Sequence, residues 1–481
     1  MKEKLVVGII ADTTNPAAAE RLLDDLHDLA RLDQGFSSIE IIVLENSSGI
    51  DTHPISFRGA SHLELHRVDR NTQLRDAARG FFGNVQIGTG RHPISLARTL
   101  LQRYAHARTL QKPACVWILD EDLRLGPLLD AIRAGKPYLS EHIAVCRSEH
   151  IDVAIGPVLG APPLPARSTL RVNLEDVLRH LRVFRELGPR SSWPDRSFEN
   201  AQVRARCPEY YYDFTTVHED AGSLPYWMEP SCPGETVESA FARLVSAFPG
   251  LMDGVPITRT IPINGENVLP SLELARGGNT LILEPRLLGR LPNVVPTFDG
   301  RACRRSDMVW SRLAVHLERA RFARIPLPVW QDRTGAGRSS FGADKVVDDA
   351  RGSALIRAFD ALIAEGQLAL GQRISEEVAW RAAHVFRTHL SARLDAIQRS
   401  ERRAGMLLGE IESYLSTMLE NDTFAADAML LKRCVADLKN ALEPGCVPPC
   451  RVDDSLAVQR FFVGLHETLD EYRRGADLAT L

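Results

Sequence analysis

The feature that most limits the fold is an alternation in the first 125 residues, where continuous apolar runs are separated by amphipathic segments. Leu5-Val6-Val7-Gly8-Ile9-Ile10 reads as a strand buried on both faces. Residues 17–32 follow with Leu22, Leu23, Leu26 and Leu29 at helical spacing and acids on the opposite face. Ile39 to Leu44 is a second apolar run, closed by the turn residues Asn46-Ser47-Ser48-Gly49, and Leu63 to Val68 is a candidate third. A helix expected from Ile94 to about Ala107 leads to Val116-Trp117-Ile118-Leu119. This order argues for an α/β fold with a mostly parallel sheet covered on both faces.

With 481 residues the chain exceeds one ordinary core, so two domains are expected. The regular pattern loosens after Arg124. Helices are expected at 174–187 and 236–247, between stretches rich in proline and glycine. Residues from about 140 to 267 therefore read as a large insertion covering one end of the sheet. "GGNTLILEPRLL" restores a glycine turn, a strand and a short helix. "RRSDMVWSRLAVHLERA" is a helix with Ser306 or Asp307 as its N-cap. "FARIPLPVWQDR" reads as a last strand, and "RTGAGRSSFGADK" as a linker. Residues 1–335 form the expected α/β domain and 346–481 an all-α C-terminal domain of four or five helices, broken near "LEPGCVPPCRVDDS". Its apolar stripe, from Val378 through Phe386, Leu394 and Leu407 to Leu419, reads as core packing or as the seam of a homo-oligomer.

The formal net charge of -4, with no block of like charges, gives no reason to expect a nucleic-acid partner. No uninterrupted run of about 18 apolar residues occurs, so no integral membrane segment is expected. The eight cysteines are scattered, as in reduced cytoplasmic proteins. Cys446 and Cys450 are close together, but no second pair completes a zinc-site spacing.

The run at Val116 ends in Asp120-Glu121-Asp122. In an extended segment alternate side chains face the same way, so Asp120 and Asp122 converge while Glu121 points elsewhere. Two carboxylates at the carboxyl end of a strand repel each other unless a cation or donors neutralise them. Mn²⁺ or Mg²⁺ suits such oxygen ligands and can bridge to phosphates. The simpler alternative is that the acids mark where a buried strand meets water.

In this context the sequence resembles the GT-A (Rossmann-like) glycosyltransferases, most of all the family 2 sugar-nucleotide-dependent group. "LVVGIIADTTNP" and "IEIIVLENSSG" occupy the place of the family's nucleoside-binding strands, which makes Glu45 and Asn46 candidates for base or ribose contacts. "GTGRHPISLARTLLQRYA" is similar to its arginine-containing helix, with Arg91 and Arg98 as donor-binding candidates. "WILDED" stands at its D-x-D motif, implying Asp120 and Asp122 as metal ligands, with Asp120 also toward the nucleotide. "RGGNTLILEPRLL" resembles its Gly-Gly turn and implies Gly277, Gly278 and Asn279 on the acceptor side. Ser306-Asp307 replaces its Glu-Asp pair, leaving Asp307 as the implied general base. The resemblance spans residues 5–333 apart from the insertion. A late histidine ligand is missing, so Gln331 or Asp332 would have to serve.

The implied activity is metal-dependent transfer of a sugar from a UDP- or GDP-sugar to an acceptor hydroxyl whose identity the sequence does not disclose. Further candidates are Asp220 in "VHEDAG" as acid, base or ligand, Arg305 with Arg304 beside the diphosphate, and Trp227 as an acceptor platform. The competing classes are a nucleotidyltransferase, and a degenerate transferase domain acting as a scaffold through its C-terminal helices.

Overall fold

Apolar side chains on both faces of β1 (Lys4–Ala11) place it inside a sheet. Leu5, Val7 and Ile9 enter one core, and Val6 enters the core on the opposite face. After β1 come α1 (Ala17–Leu32), β2 (Ser38–Glu45), β3 (Leu63–Val68), α2 (Arg70–Ala78), α3 (Ile94–Thr109) and β4 (Ala114–Asp120). β1 pairs in parallel with β2 and β4, and β2 with β3, as the alternation requires. At Gly8 an added Cβ would lie 2.9 Å from Ile118 and 3.1 Å from Leu101, so glycine lets α3 pack close to the strand. This computed structural model describes residues 2–478 apart from 15, 48–54, 58, 60–61, 84, 86, 215–223, 263–268, 271–277, 334–340, 370, 419–423 and 443–451.

The loose region holds more order than its composition suggests. β5 (Leu123–Arg124), α4 (Gly126–Arg133), α5 (Leu139–Ser148), β6 (Val153–Ile155) and β7 (Val158–Gly160) precede α6 (Leu170–Glu186), α7 (Ser197–Arg206) and α8 (Val237–Ala247). Then follow β8 (Leu269–Pro270), β9 (Asn279–Ile282), α9 (Arg286–Arg290), β10 (Thr297–Phe298), β11 (Arg301–Ala302), α10 (Ser306–Glu318), β12 (Phe322–Arg324) and β13 (Val329–Gln331). The main sheet runs β3-β2-β1-β4-β9-β6-β12, with β8 added at the edge. β9 runs antiparallel to both β4 and β6. β6 belongs to this sheet although it lies within the span of about 140–267 expected as an insertion. β6 was missed because three buried residues, Val153 to Ile155, are too few to show a period.

The chain ends in α11 (Ala343–Ala364), α12 (Glu376–Met418), α13 (Ala425–Ala441) and α14 (Val452–Leu478), four helices among the described residues. They do not pack only on one another. α3, α10, α11, α14 and the first half of α12 cover one face of the sheet in a single core, with Leu100, Leu313, Phe359, Phe386 and Phe462 buried. α1, α4 and α5 cover the other face. The second half of α12 joins α6, α8 and α13 in a third core through Leu407, Ile411 and Leu415. At 43 residues, α12 is about 65 Å long and braces the sheet core and the inserted helices together. The apolar stripe from Val378 to Met418 is therefore filled within the chain, while Leu419 lies outside the described residues. No helix among the described residues is long and apolar enough to cross a membrane.

The inserted helices also carry a buried charge network. Asp176 and Arg259 are both fully buried, with Arg259 Nε donating to Asp176 Oδ2 at 2.6 Å and its terminal nitrogen to Oδ1 at 3.0 Å. Thr258 donates to the same carboxylate at 2.8 Å.

Candidate active site at the carboxyl ends of the strands

β1, β2 and β4 are parallel, so their carboxyl ends open on one side of the sheet, where α/β folds build ligand sites. A cavity of about 740 Å³ lies there. It gathers Asn46, Arg91, Arg98, Asp120, Asp122, Arg305 and Asp307, seven of the residues singled out in the sequence.

Asp120 is the last residue of β4. It accepts from Arg98 at 3.1 Å, and Arg98 also pairs with Asp307 at 3.6 Å. Burial opposes the charge on Arg98, but Asp120 and Asp307 outweigh it and raise its pKa. Behind Asp120, Gly278 has φ 116, and a Cβ there would come within 2.8 Å of Asp120 Oδ2. Glycine at 278 thus makes room for the carboxylate.

The strand stops at Asp120, and Glu121-Asp122 form a turn before β5. Alternation no longer applies there, so all three acids reach the cavity. Glu121 accepts from the Asp12 backbone N–H at 2.8 Å, and burial pushes its carboxyl up to about 7. Asp122 is also raised, by burial first and then by the charge of Asp120. β13 pairs with β5 and β7 and brings Gln331 to Asp122, where its amide donates at 2.8 Å. Asp332 pairs instead with Arg21 at 3.4 Å.

A cationic wall faces these acids. Arg333, Arg304 and Lys345 line the same cavity as Arg91. Burial, with Arg304 adding to it, pushes Arg333 down to about 10. Lys345 is lowered by burial and then by Arg304, with Arg91 and Arg333 contributing. Its ammonium forms no ion pair among the described residues. Arg305 turns away into Asp349, donating at 2.8 and 3.0 Å, and to the Tyr212 hydroxyl at 3.0 Å. Arg304 is the freer of the two, its only carboxylate contact among the described residues being Asp349 at 3.9 Å. Although burial works against ionisation, these arginines hold Asp349 well below the usual carboxylate range.

No family model matches this chain, and no curated protein does.

The remaining candidates lie elsewhere, and Asn46, although it lines the cavity, is engaged by a loop. Glu45 is buried against Arg67, whose Nε donates to it at 3.0 Å, and does not line the cavity. The Asn46 amide is committed to the His92 backbone, accepting at 2.7 Å and donating at 3.0 Å, so it secures a loop. Asn279 is buried within the sheet, where it accepts from Trp117 at 2.8 Å and donates to Leu327 at 2.8 Å. That leaves it no reach toward an acceptor. Trp227 sits among the inserted helices with Arg196 3.8 Å over its ring, away from the cavity. Gly277 and Asp220 fall outside the described residues. Neither Ser306 nor Asp307 caps α10. Arg305 precedes the helix at φ 69, and no side chain caps it.

Asp12, which directly follows β1, lines the cavity as well. Its carboxylate pairs with Arg91 at 3.0 Å. No local pattern marks Arg333 or Lys345, because each lies at one end of an apparent linker.

The loop at His92 has a testable consequence. Burial and the neighbouring Arg70 lower His92 to about 4 from 6.5. Between those values the unfolded chain binds the extra proton, so its contribution to stability is complete above pH 6.5 and is lost as pH falls through 4. Melting temperature measured from pH 7 to 4 should fall less steeply in His92→Gln than in the parent protein. Parallel curves would contradict this assignment.

Proposed function

We propose that this protein is a metal-dependent glycosyltransferase of the GT-A type, moving a sugar from a nucleoside diphosphate to an acceptor hydroxyl. The observation that carries the reading is the cavity itself. At the carboxyl ends of β1 and β4 it joins the carboxylates of Asp120, Glu121 and Asp122 to Arg91, Arg304, Arg333 and Lys345, the complement of a diphosphate and its counterion. The mixed sheet with its reversed β9 supports the fold assignment.

Asp122 and Asp120 are the residues that would hold Mn²⁺ or Mg²⁺. Their chemistry fits a hard cation, since Asp122 is raised by burial and by Asp120 and has one amide donor to relieve it. Such a cation would offset charge on the departing diphosphate. Arg304, Arg333 and Lys345 would bind the phosphate oxygens. Asp307 takes the proton of the acceptor hydroxyl as its oxygen bonds to the anomeric carbon. The bond from that carbon to the diphosphate breaks, and its electron pair leaves with the nucleotide. Arg98 orients Asp307 and Asp120 together.

Thermal shift with UDP- and GDP-sugars, with and without Mn²⁺, tests this. A donor at 100 times its Kd adds about 2.7 kcal/mol, enough to raise the melting temperature by a few degrees. Asp122→Ala should remove the metal-dependent part. A folded protein that no nucleotide sugar stabilises would contradict the proposal.

A further inference from the structure

A second cavity of about 620 Å³ lies away from the strand ends, between α6, α11 and the middle of α12. Its walls carry five arginines, Arg171, Arg357, Arg393, Arg399 and Arg403, against two carboxylates, Asp213 and Asp395. His389, Arg393, Arg399 and Arg403 stand on one face of α12, so the helix itself presents the charge.

The acids do not balance this wall. Asp213 is taken by Arg171, which donates at 2.7 Å, and by the Ser400 hydroxyl. Arg403 pairs with Glu410 at 2.9 Å and with Glu175 at 3.6 Å. Arg399 forms no ion pair among the described residues. Arg393 Nε is buried without a hydrogen-bond partner, while another of its nitrogens donates to the Tyr212 hydroxyl. Burial, followed by Arg357 and Arg393, holds His389 below its usual value, so the imidazole sits in a positive field.

We propose that this second cavity binds a small phosphate-bearing anion, held by Arg393, Arg399 and Arg403. Guanidinium groups match phosphate oxygens with forked donors, and an anion there completes the unpaired Arg393 Nε. The volume lies in the range of small-molecule sites, about 300–1,000 Å³. An extended nucleic acid is disfavoured, because the charge is confined to one recess of a chain with net charge -4. The Tyr212 hydroxyl links the two walls, since it accepts from Arg393 of the second cavity and from Arg305 of the first. Arg393 is accordingly left intact in the test.

Titration calorimetry of the full chain with sodium pyrophosphate, without divalent metal and at about 0.15 M salt, should reveal two sites. Arg399→Glu should weaken one of them by about tenfold or more, the effect of losing a charged hydrogen bond. Arg403→Gln, a milder change, should weaken the same site if the first variant folds poorly. Lys345→Gln with Arg304→Gln should weaken only the other. Pyrophosphate binding that is unchanged by Arg399→Glu and Arg403→Gln but lost in the Lys345/Arg304 variant overturns this proposal and leaves the proposed function standing. The reverse pattern supports the second site and counts against the diphosphate wall. Equal binding of citrate in the second site overturns the phosphate assignment.

Discussion

Asp307→Asn is expected to bind the donor nucleotide as the parent protein does and to transfer sugar about 10²–10⁴-fold more slowly, the usual contribution of a general base. Asparagine keeps the size of the side chain and an oxygen toward Arg98, which stands 3.6 Å from Asp307. It cannot take a proton. The substitution therefore separates chemistry from positioning. If Asp307 only holds Arg98, the variant will transfer at nearly the parent rate. If it is the base, the rate falls while donor-induced thermal stabilisation survives.

The second large effect concerns stability. Asp176→Ala leaves Arg259 fully buried without its carboxylate, and removing one member of a buried pair costs about 3–5 kcal/mol. Thr258 loses its acceptor in the same step. Because α6 shares its core with α8, α13 and the second half of α12, the loss spreads beyond one helix. The urea midpoint should fall sharply. By contrast, Glu377→Ala breaks an exposed pair with Arg381 and should cost about 0.3–0.5 kcal/mol. Similar midpoints for the two variants would mean that water reaches Asp176.

The sequence disclosed its regular elements where the period was long enough to count. β1, β2, β3 and β4, with α1 and α3, lie where the apolar runs and leucine spacing put them, within a residue or two. The same logic failed for β5 and β6, pieces of two or three residues whose burial comes from the sheets they join, and the expected last strand over 322–333 is two short strands, β12 and β13, in different sheets. It also failed at Glu121. Alternation holds only while the strand continues, and the turn after Asp120 brings the middle acid back to the cavity.

The candidate site was legible on one side only. Asp120 and Asp122 were marked by the end of an apolar run, Arg98 and Asp307 were implied by the resemblance, and the fold gathers all four. Asn279 and Glu45 sat in equally marked places, yet neighbouring side chains and carbonyls claim their polar atoms. Between Arg304 and Arg305 the sequence offers no distinction. Asp349, 44 residues onward, makes it by binding Arg305 at both ends of its guanidinium.

By itself, then, the sequence determined what depends on neighbours along the chain: the longer strands, the amphipathic helices, and the acids where β4 meets water. Only the tertiary structure decided which charges face one another. Arg333 and Lys345 join Asp122 from distant segments, and α12 carries its stripe through two cores and its arginines into a third space. Local periodicity sets which face of an element is apolar, but the partner of a buried charge is chosen by long-range packing, which leaves no spacing to read.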